Sequence, residues 1–238
     1  MLLVIEGIYK NFGGIRALEN VNITVRKNER LGLIGPNGSG KTTLINIISG
    51  SLKQDKGKIV FDGENISNLP AHKRAEKGIA RTFQIPRSFH SLTILQNVLV
   101  PLTFVSKLQG KRTEILHRAE DIVRLVGLES KIGVYPRELS QVEMRKLELA
   151  RALALNPRLL LLDEVMAGLT SGEIMEVLDL LKKLNERGIT IIMVEHIMSA
   201  VMNFCERIVV LNNGSKIAEG EPSEIKRSEA VVKTYFGE

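Results

Sequence analysis

The apolar positions of the chain follow two rhythms, and the points where one gives way to the other predict the architecture. Residues 2–12 and 17–27 alternate apolar with polar side chains, with Val21, Ile23 and Val25 sharing a face, so both are predicted as half-buried strands. Residues 30–34 form a short apolar strand that runs into a glycine-rich turn. Residues 42–49 then take up helical spacing and stop at Gly50, a residue suited to a helix C-terminus. Residues 57–66 read as a strand and a turn. Between about 85 and 156 the rhythm becomes helical, with Leu, Ile and Val at helical spacing among many charges in 111–128 and 144–155. Strand and helix then alternate again at 158–164, 171–188 and 189–196, and Asn213-Gly214 between two apolar runs predicts a hairpin. Unbroken apolar strands separated by helices predict a parallel sheet buried on both faces. The whole chain, 1–238, is expected to be one α/β domain with an antiparallel β part and a helical subdomain at about 85–156.

Composition narrows the function classes. Of 238 residues, 44% are apolar and 25% charged, enough apolar side chain to exclude a disordered polypeptide. Aromatics are only 4%, with no Trp, which supplies a stacking platform for single-stranded nucleic acid poorly. Cys205 stands alone, so neither a disulfide framework nor an all-Cys metal site is available within the chain. The net charge of +6 points to anionic partners such as nucleotides, nucleic acid or a membrane face. The opening apolar run meets Glu6 at once, unlike a signal peptide. The longest uncharged stretch, Ser88 to Ser106, is broken by His90, Gln96, Asn97 and Pro101 and does not suit a membrane span. A soluble, intracellular chain is expected, one recruited to a membrane if it works there.

The strongest chemical signal is Gly35-Pro36-Asn37-Gly38-Ser39-Gly40-Lys41-Thr42-Thr43, a complete G-x-x-x-x-G-K-[ST] loop between a predicted strand and a predicted helix. Its glycines let the backbone turn with N–H groups facing a phosphate, and the helix adds the positive end of its dipole. Lys41 is placed to reach the β- and γ-phosphates of a nucleotide, and Thr42 to ligate Mg²⁺. A second signal is Asp163-Glu164, two carboxylates at the end of the apolar strand Leu159 to Leu162. Asp163 is expected to hold Mg²⁺ through water, and Glu164 to polarise an attacking water as general base. Gln84 and His196 each close a strand-like run, and neither carries a function by itself.

In order, the glycine loop, Gln84, Leu139-Ser140, Asp163-Glu164 and His196 resemble the nucleotide-binding subunit of ATP-binding cassette (ABC) transporters, over essentially the whole chain. The resemblance implies an α/β P-loop NTPase (RecA-like) core with an antiparallel β subdomain and a helical subdomain. It implies ATP and Mg²⁺ as cofactors, with Phe12 stacking on adenine, Gln84 contacting Mg²⁺ and sensing a permease, and His196 at the γ-phosphate. The catalytic set is then Glu164, His196 and Lys41. Implied partners are transmembrane permease subunits, a second ATPase subunit (identical or different) and, indirectly, a solute-binding protein, with no nucleic acid. The implied location is peripheral, at the cytoplasmic face of the inner membrane. Asn11 to Leu18, Arg81 to Arg87, Ala167-Gly168-Leu169 and the ending Tyr235-Phe236-Gly237-Glu238 look like the LivG-type ATPases of branched-chain amino acid importers, with urea and short-amide importers similar. An ABC ATPase of nucleic-acid metabolism is the other reading. It normally needs a long coiled-coil insert or two cassettes, whereas the span from Gln84 to Leu139 has room only for a compact helical subdomain. A P-loop small-molecule kinase would not need Leu139-Ser140 and His196 in this order.

Three features depart from the family pattern. The signature Leu-Ser-Gly-Gly-Gln, which faces the nucleotide of the opposite subunit, stands here as Leu139-Ser140-Gln141-Val142-Glu143. Val165 replaces a proline, and Thr170 an Asp or Asn. Val142 is expected to restrict the backbone and obstruct close approach, so that glycine at 141 and 142 should raise the rate of that site.

Overall fold

The computed structural model describes residues 1–83, 87–105 and 112–236. The strands are β1 (Leu3–Phe12), β2 (Ile15–Val25), β3 (Arg30–Ile34), β4 (Lys56–Phe61), β5 (Glu64–Asn65), β6 (Ile79–Arg81), β7 (Leu159–Asp163), β8 (Thr190–Val194), β9 (Arg207–Asn212) and β10 (Ser215–Gly220). The helices are α1 (Lys41–Ser49), α2 (Ala71–Glu76), α3 (Ile94–Val105), α4 (Arg112–Leu125), α5 (Gln141–Leu153), α6 (Ser171–Glu186), α7 (Met198–Phe204), α8 (Pro222–Arg227) and α9 (Glu229–Phe236).

The strands form two sheets. One is ordered β2-β1-β4-β5, and its pairs are antiparallel; the other is ordered β10-β9-β3-β8-β7-β6. In the second, β9, β3, β8, β7 and β6 pair in parallel, and β10 adds an antiparallel edge through the Asn213-Gly214 turn. The expected antiparallel part is therefore double: a separate sheet at the N-terminus, and one edge strand on the parallel sheet.

Period-two alternation explains how the parallel sheet serves two cores. Leu159, Leu161, Ile192, Val194, Val209 and Leu211 face one way, against α1 and the antiparallel sheet. Leu160, Leu162, Ile191, Met193, Ile208 and Val210 face the other way, into a core shared with the helices. Helix α1 is thus enclosed between sheets: Leu44, Ile45, Ile47 and Ile48 are all at most 1% exposed. Burying such side chains stabilises by about 1.5–3 kcal/mol each, so the helix that carries the glycine loop is firmly seated. Gly50, at φ +79°, ends it.

Residues 94–105 of the uncharged run form α3, despite Pro101 within it. Ile94, Val98 and Leu102 are buried, while Phe104 is 88% exposed. Among the described residues, no helix is long and apolar enough to cross a membrane.

Candidate functional site

The glycine-rich turn leaves β3 at Gly35 and enters α1 at Lys41. Two glycines are demanded by contact as well as conformation. A Cβ on Gly35 would lie 2.1 Å from the Leu211 carbonyl oxygen, and one on Gly40 2.6 Å from that of Ala17, with φ at +153° and +103°. Lys41 curls back, its Nζ donating to the carbonyls of Gly35 (2.8 Å) and Pro36 (2.9 Å). Burial lowers the pKa of its ammonium, against the opposing pull of Glu164 and Asp163. The Ser39 hydroxyl is buried in the loop and finds no hydrogen-bond partner among the described residues. An orphaned buried hydroxyl costs free energy until a ligand or water meets it, which marks the loop as a cradle.

A hollow of about 210 Å³ opens at this loop. Residues 37–43, including Asn37, Thr42 and Thr43, form one wall; Ile15, Arg16 and Ala17 of the β1–β2 hairpin form a second; Glu164 and His196 close the third. Phe12 does not line it. It sits at the end of β1 paired with Ile15, and is half exposed.

The two adjacent carboxylates face different surroundings. Asp163 is 3% exposed, its Oδ2 3.3 Å from Nη2 of Arg81. Arg81 also donates to Asn46 Oδ1 at 2.6 Å and lies 4.6 Å above the Phe83 ring. Burial raises the Asp163 pKa; Arg81 opposes the shift and Glu164 adds to it. Glu164 takes a left-handed φ of +51°, uncommon for a residue with a side chain. Its N–H donates to the Val194 carbonyl at 2.9 Å. Its Oε1 lies 2.7 Å from Nε2 of His196, so folding brings these two expected site residues together. Gln84, expected at the metal, lies outside the described residues.

The signature residues stand at the start of α5, outside the hollow. Ser140 caps the helix and Glu143 completes a capping box. Lys131, 2.8 Å from Glu143 Oε2, and the Ser140 N–H hold the Glu143 carboxyl below its ordinary pKa. Val142 is helical and 9% exposed, packed into the core shared with the helices. Its bulk therefore points into its own subunit, contrary to the expected obstruction, and a helical backbone suits valine well enough. Gln141 is exposed, and its Nε2 donates to the Ala167 carbonyl at 3.1 Å.

Two polar residues at the site carry roles that the motifs did not announce. Arg81 lies inside a quoted motif yet shows its role only through Asp163. Glu195, one residue before His196, is 2% exposed; its Oε1 accepts the Met166 N–H at 2.9 Å. Burial pushes its carboxyl up to about 7, against the pull of the Met166 and His196 amides. A charged residue inside the apolar end of a strand was the one available signal.

The ABC transporter family model matches residues 18–167. Along its full length the chain is 35% identical to the high-affinity branched-chain amino acid transport ATP-binding protein LivG of Salmonella typhimurium, covering 98% of that protein. It is 34% identical, again along its full length and over 98% of the relative, to the lipopolysaccharide export system ATP-binding protein LptB of Haemophilus influenzae. A crystal structure of the ADP conformation of an ATP-binding cassette of an ABC transporter superposes with a TM-score of 0.90 at 35% identity, covering 100% of this chain and 99% of that one. That cassette bears out the α/β P-loop fold. The family match, the full-length identities and the shared cassette fold place the chain in the ABC transporter family, as an ATP-binding subunit that hydrolyses ATP to energise transport.

Proposed function

We propose that the chain, acting as one nucleotide-binding domain, hydrolyses ATP in the hollow and so drives import of branched-chain amino acids through membrane permease subunits. The observation that carries this reading is the meeting of Glu164 and His196 at 2.7 Å opposite the glycine loop. Backbone N–H groups of residues 37–43 and Lys41 hold the phosphates, Lys41 exchanging its two carbonyl partners for phosphate oxygens. The Thr42 hydroxyl and the Asp163 carboxylate are hard oxygen donors of the kind Mg²⁺ takes alongside substrate phosphates, so the residues fit the ion, with Gln84 as the further ligand. When bound, Mg²⁺ neutralises charge on the phosphate oxygens. Glu164 accepts the proton of the attacking water, and His196 exchanges its contact with the Glu164 carboxylate for a γ-phosphate oxygen, to which its ring N–H donates. Phe12, at the rim of the hairpin, stacks on adenine.

A second ATPase subunit would face Ser140, Gln141, Val142 and Glu143 with its own nucleotide. The permease would dock around residues 84–89 and the helical subdomain, with a solute-binding protein acting indirectly at the far membrane face. In this reading the chain lies peripherally on the cytoplasmic face of the inner membrane. Import of amino acids is favoured by the motif residues 11–18 and 81–87 and by the identity to LivG. The nearly equal identity to LptB supports export as the second reading.

The test is the Glu164→Gln variant, which keeps shape and loses the base. ATP should still bind while hydrolysis falls by about 10²–10⁴, and cellular uptake of labelled leucine should fall with it. Near-normal hydrolysis would refute Glu164 as base. Lost hydrolysis with undiminished leucine, isoleucine and valine uptake would exclude this import role.

A further inference from the structure

The segment after β7 is gripped from two sides. From α5, Gln141 Nε2 (3.1 Å) and Arg145 Nη2 (3.4 Å) both donate to the Ala167 carbonyl. From the end of β8, the buried Glu195 carboxylate accepts the Met166 N–H. The Ala167 N–H in turn lies 3.4 Å from the Glu164 carbonyl, closing a turn on the residue whose φ is +51°. An L-residue holds that conformation only where its surroundings impose it, and the anchored Ala167 peptide is one of those surroundings. Gln141 stands where the family signature has glycine, which could offer no such donor.

We propose that Gln141 is a positioning residue: by holding the Ala167 carbonyl it couples the N-terminus of α5 to the backbone turn that presents Glu164. The signature loop and the base of the same chain then move as one piece. This inference rests on the reading of Glu164 as base. The signature sequence suggests that glycine at 141 and 142 raises the rate at the opposite subunit's nucleotide, whereas this inference predicts that removing the side chain at 141 slows this chain's own site.

Gly168 provides a second handle. A Cβ there would lie 2.3 Å from Gln141 Nε2, and its φ is +79°. Gly168→Ala therefore adds a backbone strain that is the same in any background and a collision that exists only while Gln141 is present.

The test uses the full chain assembled with its transporter. Gln141→Met keeps the length and removes the donor; Gln141→Gly removes both. Each should lower kcat roughly two- to tenfold, the worth of one hydrogen bond, with ATP binding to the full chain by itself unchanged because Gln141 does not line this chain's own hollow. Thermal unfolding of the full chain supplies the second measurement: Gly168→Ala should lower Tm more in the natural background than in Gln141→Gly. A kcat unchanged or raised in both Gln141 variants overturns the proposal, as do equal Tm losses in the two backgrounds. If Glu164→Gln has meanwhile abolished hydrolysis, only the coupling has failed; if it has not, the base assignment itself has failed.

Discussion

The glycine loop and the segment after β7 face each other across the same hollow but are held in place by different means. In the loop most ties are short in sequence, Lys41 to Gly35 and Pro36, the Ser39 N–H to the Pro36 carbonyl and the Leu44 N–H to Gly40, and the remote one, the Gly214 N–H to the Ser39 carbonyl at 3.1 Å, is also backbone. Backbone and one lysine suffice. Residues 164–167 are instead tied by side chains from remote elements, Gln141 and Arg145 on one flank, Glu195 and His196 on the other. The first device is vulnerable to steric change in the backbone. The second is vulnerable to changes of donor, acceptor and charge. Substitutions that add only a methyl group should damage the first most, and isosteric polar substitutions the second.

The largest expected effect is in the loop. Gly35→Ala would press a Cβ against the Leu211 carbonyl at 2.1 Å and the Ser39 hydroxyl at 2.5 Å, at a φ that side chains rarely adopt. Since one contact is backbone of β9, the loop or the sheet must give way. The cost should reach about 3 kcal/mol or more. Urea unfolding should show it, and ATP affinity should fall with it. A stable Gly35→Ala chain with normal affinity would mean that the loop is not locked against β9.

On the other side of the hollow the test is charge. Glu195 titrates at about 7 in the folded chain against an ordinary value of 4.5, raised chiefly by burial and further by Glu164. The folded protein therefore holds this proton more tightly than the unfolded one. The resulting stability is fully present below about pH 4.5 and is lost as pH rises through about 7. Glu195→Gln has no such proton to lose, so its stability relative to the natural chain should rise from pH 4.5 to above 7, by about 2–3 kcal/mol. Urea unfolding of both chains at the two ends of that window checks the sign. A difference independent of pH would show that the Glu195 carboxyl is not raised.

The same contrast explains how far the sequence could be read. The glycine loop, α1 and its stop at Gly50 were legible because each depends on residues next to one another. So was the β9–β10 hairpin, through Asn213-Gly214, and the apolar run ending in Asp163-Glu164. The division into two sheets was not, because period-two alternation says which face of a strand is buried but not which strand it pairs with. Within the run from Ser88 to Ser106, α3 is started by the reciprocal hydrogen bonds of Thr93 and Gln96 and seated by the buried Val98 and Leu102, and only the first of these is local in sequence. At 142 the family pattern gives the residue type and not the direction of the side chain, which the fold turns into its own core. Gln141, Arg81 and Glu195 became meaningful only when folding supplied Ala167, Asp163 and Met166 as partners.

The smallest expected effect lies where the gripped segment ends. Thr170 differs from the family's Asp or Asn, but here it is the N-cap of α6. Its hydroxyl lies 3.4 Å from the Glu173 N–H, and Glu173 Oε2 accepts the Thr170 N–H at 2.8 Å. Substituting such a cap by alanine costs about 1 kcal/mol, which in a chain of this size is a fall in Tm of about 2–4 °C. Thr170→Asp should lose little, since its carboxylate can accept the same N–H and its charge suits the helix N-terminus. The repulsion it adds toward Glu173 works against it, so the two variants bracket the effect. Thermal unfolding of Thr170→Ala, Thr170→Asp and the natural chain would separate the contributions. Equal losses in both variants would show that the residue supplies packing rather than a cap. The segment from Glu164 would then be anchored at its far end by the helix itself, not by the side chain that begins it.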